Sequence, residues 1–304
     1  MSLDDPVVIT CSISGAIANR DQCPAIPYTP DEYAAEARRI VDEGGVMIHI
    51  HARTPEGTPS YEVEDFQAIS EAIGAEVGDA VIINFSTGTI GVPVAKRIAY
   101  LRACRPEVAA LNMGSMNYAK YSRARKDFVF KMVFANPFEE IIELLEAMNE
   151  LRIKPEHECF DVGHVGSLAP LIDMGVLRTP LHVDCVMGVV GGIPPTARNL
   201  AAMVGNIPEP AHWGVIGISR EQWMLVSAAL TLGGSIRVGL EDNLYLPDGR
   251  MARSNGELIA KARQMTEDVG RRAASVQEAR AMLAIAAPAE RSEAQGAREQ
   301  VGSA

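Results

Sequence analysis

Eight short apolar runs, each followed by a segment with helical patterning, constrain this chain more than any other feature. They are Val7–Ile13, Val46–Ile50, Ala80–Phe85, Val108–Met113, Glu156–Asp161, Pro180–Met187, Ala211–Ile216 and Ser235–Val238. Most are continuous rather than alternating polar and apolar, the pattern of strands buried on both faces of a parallel sheet. The intervening helices carry their own start signals. Thr29-Pro30-Asp31-Glu32 reads as an N-cap, a first-turn proline and a capping glutamate, and Ser254 caps the last long helix. No Pro/Gly/Ser-rich linker divides the series. The pattern predicts an α/β fold of one domain, the TIM (β/α)8 barrel, over residues 1–273. An open doubly wound sheet has fewer strands and usually a Gly-rich dinucleotide turn, which is lacking here. Residues 274–304 are expected to add one more helix, to about Ile285, and then a frayed tail.

A chain of 304 residues, 47% hydrophobic and 22% charged, is long enough for a sizeable core and ordinary for a soluble globular protein. Its net charge of −11 argues against a nucleic-acid partner, and no local basic patch stands out. No apolar run approaches membrane-spanning length, and the N-terminus lacks the basic and apolar regions of a secretory leader. Five widely spaced cysteines without a Cys-x-x-Cys pair fit a reduced, cytoplasmic setting.

In a parallel barrel the chemistry gathers at the C-terminal ends of the strands. There the sequence places His49 and His51, then Asn84, Ser86 and Thr87, then Asn112, Ser115 and Asn117, then Asp161 and His164. The Gly188–Pro195 loop follows, and last Glu241 and Asp242. Residues two apart on a strand share a face, so His49 and His51 point the same way, about 7 Å apart along the chain. Paired imidazoles suit zinc, whose catalytic sites take three protein ligands and keep one position open. Histidines at a strand end also serve simply to satisfy buried carbonyls. Glu241 and Asp242 lie on the loop after the last strand, which in a closed barrel lies beside the first, so a carboxylate from there can meet both histidines; Asp161 and His164 compete for that place. His182 and His212 sit within apolar strands and read as satisfied core residues. Arg237, four residues before Glu241, is costly inside a strand unless paired, and Asp242 offers the pair. Ser86 has no nucleophile elbow around it and reads as a substrate-binding hydroxyl. The Gly188–Pro194 loop can present amides to an anion or merely turn the chain.

Thr10–Ala16, Ile48–Arg53, Asn84–Gly88, Met113–Asn117, Phe160–His164 and Arg237–Asn243 together resemble the β-keto acid cleavage enzymes, in order, over about residues 7–270. The resemblance implies a barrel holding Zn2+ on His49, His51 and Glu241. It further implies a reaction in which a β-keto acid condenses with acetyl-CoA and the adduct is cleaved to acetoacetate and a new acyl-CoA. Asp242, paired with Arg237, is then the candidate for proton transfer and Glu158 a second acid/base. Ser86, Thr87, Asn112 and Ser115 are the candidate substrate-binding side chains, and a homodimer or homotetramer is expected. One position departs from the amino-substrate members of the family. Where an acidic residue pairs with the substrate amine, this chain carries Ile17, which favours a neutral acyl tail over an amine. An anionic tail held by Arg20 or Arg53 is the second choice. The alternative function is a metal-dependent hydrolase of the amidohydrolase type. That class begins with the same His-x-His, but wants further histidines near the ends of Glu156–Asp161 and Pro180–Met187. His164 supplies one; Cys185–Gly188 supplies none.

Overall fold

A computed structural model describes residues 1–285. Ten strands follow one another: β1 Ile9–Ser12, β2 Met47–Ile50, β3 Ile82–Ser86, β4 Val108–Asn112, β5 Met116–Ser122, β6 Asp127–Phe134, β7 Lys154–Cys159, β8 Leu181–Met187, β9 Ala211–Gly217 and β10 Ser235–Val238. The helices are α1 Pro30–Asp42, α2 Val63–Val77, α3 Val94–Cys104, α4 Phe138–Leu151, α5 Val162–Gly166, α6 Leu168–Asp173, α7 Ala197–Val204, α8 Gln222–Leu232, α9 Asn255–Asp268 and α10 Val276–Met282. Eight of the strands pair in the order β1-β10-β9-β8-β7-β4-β3-β2 and close into a barrel, parallel throughout. This is the TIM (β/α)8 barrel, and it forms a single domain.

Alternation along each strand separates two environments. Ile48 and Ile50 of β2, Phe85 of β3, Leu111 of β4 and Val183 and Cys185 of β8 turn outward into the main core, under the helices. Their neighbours turn inward, and the inward set is graded along the axis. At the N-terminal end Val8, Met47, Ile82 and Val108 pack together with Ala274, Ala279 and Leu283, so that α10 and its flanks close the bottom. Higher up the interior becomes polar, with Asn84, Glu156, Asp184 and Arg237 all buried. Thr29 and Ser254 cap α1 and α9 as the sequence indicates. Thr29 and Glu32 form a reciprocal capping box, and Ser254 Oγ accepts from Glu257 N. The fraying expected of the far C-terminal tail lies outside the described residues.

The connection from Gly114 to Asn136 is not a plain loop. It folds into the antiparallel hairpin β5–β6 at the C-terminal end of the barrel, with a register shift between Lys120 and Tyr121. Lysines and arginines interleave its aromatic residues, which hides the strand period from the eye. The tight Gly188–Pro195 loop packs against this ribbon. Val190 bridges Ala119, and a Cβ on Gly191 would lie 1.8 Å from Asn117 O. Its amides bond within the protein, Gly192 N to Val189 O and Ile193 N to Phe160 O, which fits a packed turn better than an anion cradle.

Candidate active site

Two glycines at the rim bring β1 and the loop after β10 into contact. Gly239, at φ +152°, runs so close to β1 that a Cβ would stand 2.1 Å from Ser12 O. Gly15, at φ +60°, leaves room for Glu241, whose Cγ would lie 2.5 Å from an added Cβ. Glu241 N donates to Ser12 O at 3.2 Å, and its carboxylate reaches over β1 toward β2. His51 Nε2 stands 3.4 Å and His49 Nε2 3.8 Å from Glu241 Oε1, with the two imidazole rings 5.3 Å apart. Two donors on a tetrahedral zinc with bonds of about 2.1 Å lie roughly 3.4 Å apart, and the two histidine–Glu241 separations lie at or near that spacing. Burial, together with Arg237 and His51, pushes the His49 imidazole well below its ordinary pKa and keeps it the neutral ligand a metal needs. Burial opposes ionisation of Glu241, but His51, His49 and Arg237 outweigh it and hold the carboxyl below its usual range. Its Oε2 is buried without a partner among the described residues. The donor set therefore fits a divalent cation.

Beside this set Arg237 binds three carboxylates. Its Nε and Nη2 donate to Asp242 Oδ2 and Oδ1 at 3.0 and 3.1 Å, Nη1 donates to Glu158 Oε1 at 3.0 Å, and Nη2 also meets Glu241 Oε1 at 3.0 Å. Ser12 Oγ donates to Asp242 Oδ2 at 2.5 Å. Burial raises Asp242 above the ordinary aspartate value against the pull of Arg237, with Glu241 adding to the rise. Burial likewise lifts Glu158 to about 7, Arg237 opposing and the neighbouring carboxylates assisting. A carboxyl raised as Glu158 is can accept and return a proton near neutrality.

Of the other candidates, Ser86 and Asn112 are buried at the ends of β3 and β4, and Asn112 is the register neighbour of Glu158. Ser86 Oγ accepts from Gly88 N at 3.2 Å. Thr87 and Ser115 are not brought into the cluster. Thr87 Oγ1 donates to Ala110 O at 2.5 Å, and Ser115 Oγ accepts from Asn136 N at 2.7 Å, pinning the base of the hairpin. Ile17 is 57% exposed on the loop after β1. Arg53 spends its guanidinium on the carbonyls of Gly15, Gly57, Ser14 and Ala18, and Arg20 pairs with Glu32 at 2.5 Å. Neither arginine is free to receive an anionic tail. Asp161 caps α5 by accepting from Gly163 N, and His164 Nδ1 accepts from Phe160 N at 3.3 Å, so both do local work rather than ligate.

His182 and His212 are core residues, but not satisfied ones: His182 Nδ1 and His212 Nε2 find no partner among the described residues. The sequence reading also passed over Glu156 and Asp184. Glu156 accepts from Asn84 Nδ2 at 2.7 Å and lies 3.9 Å from both His49 Nδ1 and His182 Nε2; Asp184 lies 3.7 Å from His182 Nε2. Strand period would have found them, since Glu156 shares a face with Glu158 and Asp184 with His182. The donor groups that include Glu156 are wholly buried, whereas His51 and Glu241 are half-buried at the rim. Only the rim set can keep a coordination position open to substrate.

A sequence model of the beta-keto acid cleavage enzyme family matches residues 6–285. The 3-keto-5-aminohexanoate cleavage enzyme of Acetoanaerobium sticklandii is 34% identical over 281 residues, 92% of this chain and 99% of that protein. The 3,5-dioxohexanoate:acetyl-CoA acetone transferase of Paraburkholderia graminis is 34% identical over 303 residues, 94% of this chain and 97% of its own length. Among solved structures, apo ObcA superposes with a TM-score of 0.71 at 20% identity, over 86% of this chain and just under two thirds, 66%, of that one. That likeness concerns the fold. The hydrolase alternative gains nothing from these comparisons, and the end of β8 presents Met187 and Gly188 where it requires a histidine.

Proposed function

The chain belongs to the beta-keto acid cleavage enzyme family, and from that premise we propose that it is a zinc-dependent enzyme converting a β-keto acid with a neutral acyl tail and acetyl-CoA into acetoacetate and a new acyl-CoA. The observation that carries this reading is the meeting of His49, His51 and Glu241 within bonding reach of one cation, beside the Arg237–Asp242–Glu158 cluster. Bound there, zinc supplies a Lewis acid for the keto and carboxylate oxygens of the substrate.

The residues around it then divide the work. Asp242, fixed by two bonds from Arg237, takes the proton from the carbon between the two carbonyl groups. That carbon attacks the acetyl thioester, forming a carbon–carbon bond and releasing the CoA thiolate. The thiolate adds to the original keto carbon, the bond between that carbon and the attacking carbon breaks, and acetoacetate departs after regaining one proton. Ser86 and Asn112, buried at the strand ends, donate hydrogen bonds to substrate oxygens, and Glu158 relays the same proton back to the departing acetoacetate. Ile17, with Arg20 and Arg53 both engaged elsewhere, favours a tail without charge.

The test is to incubate zinc-loaded protein with acetyl-CoA and β-keto acids bearing neutral, anionic or ammonium tails, following acetoacetate and acyl-CoA. Turnover is expected with the neutral tails. Acetoacetate from none of them sinks the reaction, and a preference for charged tails sinks the specificity. His49→Ala and Glu241→Ala are each expected to lose bound zinc; full retention would remove that residue from the ligand set.

A further inference from the structure

The β5–β6 ribbon carries charge opposite to the rest of the molecule. Between Met116 and Phe134 stand Lys120, Arg123, Arg125, Lys126 and Lys131 against a single acid, Asp127, in a chain of net charge −11. This local basic patch escaped the composition argument, which sees only the sum. All five side chains are exposed, and none forms an ion pair among the described residues. Elsewhere the protein pairs such groups: Arg250 and Arg253 share Glu257, and Arg272 meets Glu278. Like charges concentrated on one turn repel, and an anion shared among them relieves the repulsion.

A second observation ties the basic tip to the site. Directly opposed residues of a ribbon share a face. Met116 with Phe134, Tyr118 with Met132, Lys120 with Phe130 and Tyr121 with Phe128 therefore line one side of it. The rings make a ladder. Tyr118 contacts Phe134 at 5.6 Å and stacks on Phe130 at 6.0 Å, and Tyr121 meets Phe128 at 5.6 Å. The lower end of the ladder packs on Phe160, Val186 and Ile216, at the mouth of the barrel. At the upper end Tyr121 and Phe128 are exposed, beside the basic turn. Seven strand residues span roughly 20 Å, so tip and mouth are separated by about the reach of an extended pantetheine arm.

We propose that this ribbon docks the nucleotide end of acetyl-CoA, with adenine against Tyr121 and Phe128, phosphates among Lys120, Arg123, Arg125 and Lys126, and the pantetheine arm lying down the aromatic face toward His49, His51 and Glu241. Arginine forks suit phosphate oxygens, and a base stacks on any aromatic face. An acidic enzyme repels a polyanionic co-substrate, and a local basic landing site offsets that repulsion. The identity of the ligand rests on the proposed function, so the test includes a readout that does not.

In the full-length, zinc-loaded protein, the triple charge reversal Arg123→Glu, Arg125→Glu, Lys126→Glu is compared with wild type and with Tyr121→Ser, which removes a ring without changing charge. The affinity for adenosine 3′,5′-bisphosphate, read by titration calorimetry, is expected to fall about tenfold or more in the triple variant. The preference in kcat/KM for acetyl-CoA over S-acetylpantetheine is expected to shrink by a similar factor, and Tyr121→Ser to move both in the same direction by less. Unchanged bisphosphate affinity overturns the proposal, as does an equal loss with both thioesters. A changed oligomeric mass with intact bisphosphate binding reassigns the ribbon to contact between copies of the chain. If no β-keto acid is cleaved, the family reaction fails while the bisphosphate titration still decides whether the ribbon holds a nucleotide.

Discussion

At the scale of single residues the site turns on Arg237. It is buried, and it is the one cation shared by Asp242, Glu158 and Glu241. Removing it as Arg237→Ala leaves those carboxylates to face one another, and breaking a buried pair from one side costs about 3–5 kcal/mol, so a marked loss of thermal stability is expected. Arg237→Lys is the sharper probe. Lysine keeps the charge but cannot present a fork to Asp242 while reaching Glu158, so we expect kcat to fall about a hundredfold or more with bound zinc retained. Near-normal turnover in that variant would show that charge alone suffices and that the bidentate geometry is incidental.

At the scale of elements, α10 shows how a segment outside the eight-unit repeat serves it. Leu283, just past its C-terminus, is 1% exposed among Val8, Met47, Ile82 and Val108. Leu283→Ala opens the barrel floor and should cost about 2–4 kcal/mol, measured by denaturant unfolding. Glu278 ties the start of the same helix to Arg272 and to the Ser275 cap, which together lower its carboxyl to about 2. A lowered folded pKa stabilises above the ordinary glutamate value, and the contribution drains away as pH falls through the folded one. Glu278→Gln should therefore reduce the melting temperature near neutrality, and the difference should narrow progressively between about pH 5 and 1. A gap that persists at the acid end would show that packing, rather than ionisation, holds the helix. The barrel strands were readable because most are continuous apolar runs punctuated by caps such as Thr29 and Ser254. The candidate metal donors His49, His51 and Glu241 were readable because they fall at strand ends. Glu156 and Asp184 were not, because a carboxylate in the middle of a strand looks like surface until closure of the barrel turns it inward. The ribbon was not, because Lys120 and the register shift beside it interrupt its aromatic period.

At the scale of the whole molecule, the upper barrel interior gathers Glu156, Glu158, Asp184, Glu241 and Asp242 around the single guanidinium of Arg237. Burial raises both Glu156 and Asp184, with the Asp184 carboxylate adding to the rise of Glu156, and so spares part of that charge. Glu241 stays ionised. Such an interior is short of positive charge, which a divalent ion at the proposed His49, His51 and Glu241 set would supply. Metal binding should therefore be read out as global stability, not only as activity. At free zinc about a hundred times Kd the gain is about 2.7 kcal/mol, which for a chain of this size raises the melting temperature by roughly 4 °C. Chelation should reverse the shift. Magnesium should produce little of it, since two imidazoles suit zinc and a hard cation prefers oxygen ligands. Glu241→Gln should abolish it while leaving the metal-free midpoint close to wild type. A midpoint that zinc does not move would mean that the closely spaced donors at the rim hold no ion, and that the surplus carboxylates of this barrel are carried as protonated pairs.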